Sequence, residues 1–370
     1  MKDIMMTEKI ISLGDICRIF TGKKDVNQTT KTGKYSFYSC SPNKLLSDEY
    51  LYDGEAIIIA GNGSYTGRVR YANEKFDLYQ RTYACVLKDE EENISTKYLY
   101  YYLKAKFEPR FIGGTRGSSI PYIVKGDISD FQIHLPSLEK QHEISSVLSN
   151  IDNKITNNIA INDNLEAQAL ALFNEFYSKS NQEVLYIDQI QILGGGTPKT
   201  GEPSFWDGEV PFFTPKDAKF SYTICTEKKL TTEGLSHCNS QLYPKNTVFV
   251  TARGTVGKVS MAGVPMAMNQ SCYALIGKCI PQLLVYFYTQ KIIRNLKNKA
   301  NGAVFDAITT RDFESETVKK FSDDLLNKFN AKVEPMYSLM LNNHLENQQL
   351  TSLRNSLLNK LISNGAERLV

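Results

Sequence analysis

The chain repeats itself once, and this constrains it more than any other feature, since two similar halves of sequence imply two similar folded units. The segment Ile57 to Arg70, IIIAGNGSYTGRVR, shares its rhythm with Val248 to Ser260, VFVTARGTVGKVS. Each is an apolar run, then a glycine-punctuated polar turn, then a basic residue. Gly63 corresponds to Gly254 and, after a one-residue slip, Gly67 to Gly257; Gln80 and Tyr83 then correspond to Gln270 and Tyr273. Farther along, Tyr98, Leu99, Tyr101, Tyr102, Gly117, Ile123 and Asp127 recur 185 residues later as Leu283, Leu284, Tyr286, Phe287, Gly302, Ile308 and Asp312. One copy runs from about 10 to 180 and the other from about 184 to 370.

Each copy changes character part-way. Its first part has β-branched and aromatic runs bounded by Gly, Asn and Pro, the signature of strands and loops with a few helices. Its second part is helical. From Ser137 to about Tyr177 there is no Gly or Pro, and Ile144, Leu148, Ile151, Ile155, Leu165, Ala169, Leu172 and Phe176 fall in steps of four and three, with Asn158 and Asn162 on the same stripe. Ser137 is placed to cap this helix. The second stripe is Phe329, Val333, Met336, Met340, Asn343, Asn347, Leu350, Leu357 and Leu361, and Pro335 within it predicts a kink or a later helix start. Asn158 and Asn162 map onto Asn343 and Asn347. Buried amides need partners, so the two helices are expected to pair as a coiled coil, with the asparagines setting their register. The alternative is that each stripe covers only its own domain, but roughly 40 residues at about 1.5 Å each make a rod near 60 Å long, more than a small domain requires.

Net charge is +3, which permits nucleic-acid binding without indicating it, so any such surface has to come from local clustering. Seven cysteines without a CxxC pair, and no leader-like segment, lead to an expectation of reduced thiols and a cytoplasmic protein. The longest apolar stretch, Ala56 to Ala60, is far below the roughly 20 residues of a membrane span.

Two strand-rich domains alternating with two long helices, together with the stretch LPSLEKQHEISSVLSNIDNKI from Leu135 to Ile155, resemble the specificity subunits of Type I restriction-modification systems. The resemblance covers nearly the whole chain. It departs in the second spacer, where Lys320-Phe321 stand in place of Leu135-Pro136. It implies an α/β (α+β) fold: target recognition domains at 1–136 and 181–319, and spacer helices at 137–180 and 320–370 forming an antiparallel two-helix coiled coil. It further implies that each domain reads half of a bipartite double-stranded DNA target, while the helices space the domains and dock methyltransferase (M) subunits, two in number, with restriction (R) subunits as further partners. Half-sites one helical turn apart lie about 34 Å apart, within the span of such a rod.

Base reading calls for Arg, Asn and Gln on loops, and phosphate contact for Lys, Arg, hydroxyls and glycine-freed amides. The candidate DNA-binding residues of the first domain are Lys23, Lys24, Asn62, Ser64, Tyr65, Arg68, Gln80, Arg81, Arg116, Ser118 and Ser119; those of the second are Lys199, Arg253, Thr255, Lys258, Asn269, Gln270, Lys299 and Asn301. The glycine turns have a plainer reading as tight hairpins with solvated charges, and Gln80 and Gln270 as buried amides. Tyr98 to Tyr102 is read as core rather than a stacking platform. Trp206 either packs its own loop or lies near DNA.

A methyltransferase of this class would need an Asn/Asp-Pro-Pro motif with an aromatic end, and the chain has no Pro-Pro; Ala252 to Val259 falls short of a P-loop at both ends. His134, His142, His237 and His344 show no metal-ligand spacing. The expectation is a non-catalytic subunit without cofactor or metal of its own, S-adenosylmethionine and ATP with Mg being bound by partners. A nuclease with scattered acids and a coiled-coil adaptor with protein-binding ends are the competing readings.

Overall fold

The structure is a computed structural model and describes residues 9–43, 45–89, 91–111, 121–299 and 307–363. The chain divides into two compact units, Met1–Ile155 with Leu350–Val370, and Thr156–Gln349. Each long helix contributes to both.

In the first unit the strands are β1 (Lys9–Ser12), β2 (Cys17–Thr21), β3 (Tyr35–Tyr38), β4 (Leu45–Ser47), β5 (Tyr52–Ala60), β6 (Val69–Leu78), β7 (Thr82–Leu87) and β8 (Gln132–Leu135). A six-stranded sheet runs β2-β7-β5-β6-β3-β4, antiparallel except for β3 beside β6, and β1 pairs with β8. Ile57 and Ile59 face one core and Ala56 and Ile58 another, the period-two alternation of a strand covered on both faces. The helix Thr96–Lys106 packs Tyr98, Leu99, Tyr101 and Tyr102 into the first of these cores, so the tyrosine run is interior.

In the second unit the strands are β9 (Glu183–Leu185), β10 (Ile190–Gly194), β11 (Trp206–Phe213), β12 (Tyr222–Thr223), β13 (Lys228–Leu230), β14 (Val248–Thr251), β15 (Val259–Ala262), β16 (Ala267–Met268), β17 (Cys272–Gly277) and β18 (Thr317–Lys319). The order β10-β17-β14-β15 reproduces β2-β7-β5-β6, and β9 with β18 reproduces β1 with β8. The long β6 has a broken counterpart: Ser36 pairs with Phe76 in parallel, and Phe212 pairs likewise with Ala267, but Gly263-Val264-Pro265 separates β15 from β16. Proline cannot donate to a ladder, which accounts for the break.

The first long helix spans Leu138–Lys179. Ser137 Oγ accepts from Lys140 N at 3.3 Å, satisfying one of the amides a helix N-terminus leaves free. The second spans Asp323–Ser363 with Pro335 inside it. No late start occurs. Ser322, at the position matching Ser137, accepts from Leu325 N at 3.3 Å and supplies the start signal. Pro335 and Ala331, whose carbonyl loses its helical donor, are both exposed, so water can replace that bond.

Within the second unit Asn158 Nδ2 donates to Asn347 Oδ1 at 2.9 Å and Asn343 Nδ2 to Asn162 Oδ1 at 2.8 Å, residue numbers falling on one helix as they rise on the other. Within the first unit Ile144 and Leu148 share a core with Leu358 and Ile362. The buried stripe corrects the expected one in phase: Phe173 lies deeper than Leu172, Tyr337 than Met336, Leu358 than Leu357 and Ile362 than Leu361. Toward their ends the helices cover their own domain's core as well as each other, as the rings of Phe173 and Phe287 show, 5.1 Å apart, and this pulls the face off a strict heptad line.

Candidate nucleic-acid interface

The glycine turn between β5 and β6 is held at both ends by backbone bonds: Ala60 N to Arg68 O at 3.0 Å and Gly67 N to Ala60 O at 2.8 Å. The turn between β14 and β15 has the same two, Thr251 N to Lys258 O at 3.0 Å and Gly257 N to Thr251 O at 2.8 Å. Neighbouring segments attach alike. Gly61 N donates to Arg81 O and Ala252 N to Ser271 O, while Ile123 N donates to Gly61 O and Ile308 N to Ala252 O. Gly63, Gly67, Gly254 and Gly257 all have φ between +73° and +82°, a region other residues enter at a cost, so the repeated glycines are what the turn demands.

This geometry brings one end of β2, β5, β6 and β7 together with the turns that leave them, and likewise for β10, β14, β15 and β17. On the first edge Lys23, Ser64, Tyr65, Arg68, Gln80 and Arg81 are exposed and Asn62 half-buried. On the second, Lys199, Arg253, Thr255, Lys258 and Gln270 are exposed and Asn269 half-buried. Gln80 and Gln270 are thus surface amides. Each ties its turn to the loop after the first strand of its sheet: Gln80 Nε2 donates to Asp25 Oδ2 at 3.1 Å, and Gln270 Oε1 accepts from Thr197 Oγ1. Asn269 Oδ1 accepts from Ser271 N at 3.1 Å, a turn-forming bond. Trp206 packs its own loop, with Nε1 donating to Lys199 O at 3.2 Å and its ring edge-on to Phe212.

Two candidate cations are engaged within the protein. Lys24 Nζ meets Asp77 at 2.8 Å and Glu49 at 3.0 Å, and its bond to Asp77 raises its pKa. Lys299 pairs with Glu316, which is buried. Arg116, Ser118, Ser119 and Asn301 lie outside the described residues. Among the described residues, the candidate cations left exposed on the edges are Lys23, Arg68 and Arg81 in one unit, and Lys199, Arg253 and Lys258 in the other. Arg68 lies 4.6 Å over the Tyr65 ring.

A family model for the Type I restriction modification DNA specificity domain matches residues 6–167 and 180–319. The chain belongs to this family. It is 36% identical over 143 residues to the EcoDI specificity subunit of Escherichia coli, covering 39% of this chain and 31% of that one. It is 31% identical over 121 residues to the MjaIX specificity subunit of Methanocaldococcus jannaschii, covering 31% and 28%. These matches span under a third of each relative's length. A longer one, 22% identical, joins 96% of this chain to 98% of the HindI specificity subunit of Haemophilus influenzae. In fold, the chain is similar to the S subunit of a Type-I restriction-modification system from M. genitalium, with a TM-score of 0.65, 17% identity and 98% of each chain covered.

Three side chains important to these specificity-domain edges are absent from the sequence-derived candidates. Cys40 Sγ donates to Asn62 Oδ1 at 3.0 Å and reaches Arg81 O at 3.3 Å. The half-buried Arg70 guanidinium donates to Ser39 O and to Ser41 O, holding the loop that carries Cys40. Lys297 Nζ donates to Gly257 O at 3.1 Å, and burial, with Lys258 nearby, lowers its pKa. Cys40 is 22 residues from Asn62 and Lys297 is 40 from Gly257, so no local pattern marks either pair. Its place in the last turn of the helix Gln282–Lys299 is the local feature that marks Lys297.

Proposed function

We propose that the chain reads a bipartite double-stranded DNA target, one half through the edge carrying Asn62 and Arg68 and the other through the edge carrying Arg253 and Lys258. The observation that supports this best is that the two edges share their backbone bonds but differ in their side chains. A common scaffold with different readers suits two unlike half-sites, with backbone amides and cations positioning the duplex and side chains distinguishing its bases. The chain acts for other subunits: two methyltransferase subunits, and restriction subunits where the system has them. The long helices serve as spacer and docking surface. S-adenosylmethionine, and ATP with magnesium, belong to those partners, and the complex works in the cytoplasm.

The test is selection from a random duplex library by the purified chain together with its methyltransferase. Enrichment of two separated blocks of sequence is expected. No enrichment, or one continuous block, would refute the proposal.

A further inference from the structure

We propose that Asn62 and Arg253 are matched specificity residues, Asn62 selecting an adenine in one half-site and Arg253 a guanine in the other; this rests on the DNA-reading role proposed above. The two occupy one position in the repeated architecture. Each directly precedes a positive-φ glycine, Gly63 or Gly254, and each makes an isolated antiparallel β-bridge, Asn62 to Tyr122 and Arg253 to Ala307. Their backbones are therefore held by pairing on this edge, with the Arg253 side chain exposed and that of Asn62 half-buried. That is the arrangement a base reader needs, because bidentate contacts tolerate little displacement.

The neighbours are less suited to discrimination. Ser64 and Thr255 follow the same glycines, and a hydroxyl accepts or donates to any base edge. Arg68 and Lys258 follow the second glycines, one lying over Tyr65 and the other beside Lys297, positions that favour a phosphate. At these two positions the chemistry differs sharply. Among the described residues the Arg253 guanidinium makes no hydrogen bond or ion pair, and it is exposed, so its fork is available for the O6 and N7 acceptors of guanine.

Asn62 is prepared in another way. The Cys40 thiol donates to Oδ1 at 3.0 Å, holding the amide in place and leaving that atom a second lone pair. The free lone pair and the Nδ2 hydrogens can then accept from N6 and donate to N7 of one adenine. Arg70, through Ser39 and Ser41, secures the loop that carries the thiol. Cys40 and Arg70 are positioning residues for Asn62.

The test uses the full chain with its methyltransferase. The wild-type target is found by library selection, and binding is then measured on duplexes with each base pair of that target replaced in turn. Asn62→Ala is expected to flatten the preference at one A·T pair by about ten- to a hundredfold, and Arg253→Ala to do so at one G·C pair in the other half. Arg253→Gln should turn that pair's preference toward A·T. Arg253→Lys keeps the charge without the planar fork, and should keep overall affinity while weakening the discrimination, which guards against a truncated side chain disturbing the fold. If the wild type discriminates but these variants change no pair, change pairs in the same half, or weaken every duplex alike, the assignment is overturned. A wild type with no sequence preference at all would overturn the DNA-reading role as well.

Discussion

The Asn343 amide donates to Asn162 Oδ1 across 2.8 Å, both side chains being buried, and Asn162 in turn donates to Met340 O at 3.1 Å. A lone buried amide would cost more than a hydrophobe, so the pair is tolerable only together. Asn343→Leu should destabilise the chain by about 1–3 kcal/mol in urea unfolding, while adding Asn162→Leu should recover most of that loss. Additive losses in the double variant would mean that the amides are not coupled.

Asp152 holds a second polar junction, accepting from Tyr101 OH at 2.7 Å and pairing with Arg354 at 2.7 Å. It connects the helix Thr96–Lys106 with both long helices inside one unit. Side-chain exposures of 25% and 19% for Asp152 and Arg354 place the ion pair between surface and core. Arg354→Ala is expected to cost about 1–2 kcal/mol, more than an isolated surface pair. Loss of less than about 0.5 kcal/mol in thermal unfolding would remove the junction from the stabilising interactions.

The glycines of each turn should differ in tolerance. A Cβ on Gly67 would lie 2.4 Å from that of Phe111, whereas one on Gly63 would meet nothing within 4 Å. Gly63→Asn should therefore be nearly silent, since asparagine accepts a left-handed conformation, and Gly67→Ala should be severely destabilising. Limited proteolysis of the purified variants distinguishes them: equal resistance would contradict the crowding beneath Gly67.

His344 supplies a pH dependence. Burial lowers its pKa, against the opposing influence of Glu166 and Asp163, and its ring lies 5.3 Å from that of Phe220. A depressed folded-state pKa means that the unfolded chain takes up the proton first as pH falls. The stability tied to neutral His344 is full above the ordinary value of 6.5 and drains away as pH drops below it toward the folded pKa. His344→Gln should flatten the fall in unfolding midpoint between pH 7 and pH 5.5. An unchanged profile would assign that fall to other groups.

These residues also show where sequence was informative. The repeat, the positive-φ glycines and the facing asparagines were legible because each answers a local demand that recurs at a fixed offset. The pairing of Lys24 with Asp77 and of Cys40 with Asn62 was not, because the sheet brings together segments that no periodicity links. The phase of the helix stripe was legible near Asn158 and lost toward Leu358, where the domain core competes with the partner helix. Ser322 was a readable cap, since it stands where Ser137 stands in the first copy, but the changed residues before it and Pro335 after it obscured the signal.

Methylation mapping of a host genome shows whether two independent readers act on one DNA target. The host would carry the chain with its methyltransferase, and in a second strain a chain whose residues 181–319 are replaced by the corresponding segment of a relative. Two specified blocks separated by an unread gap of constant length are expected, with the replacement changing one block and leaving the other intact. An undivided motif, or a replacement that changes both blocks, would contradict independent readers.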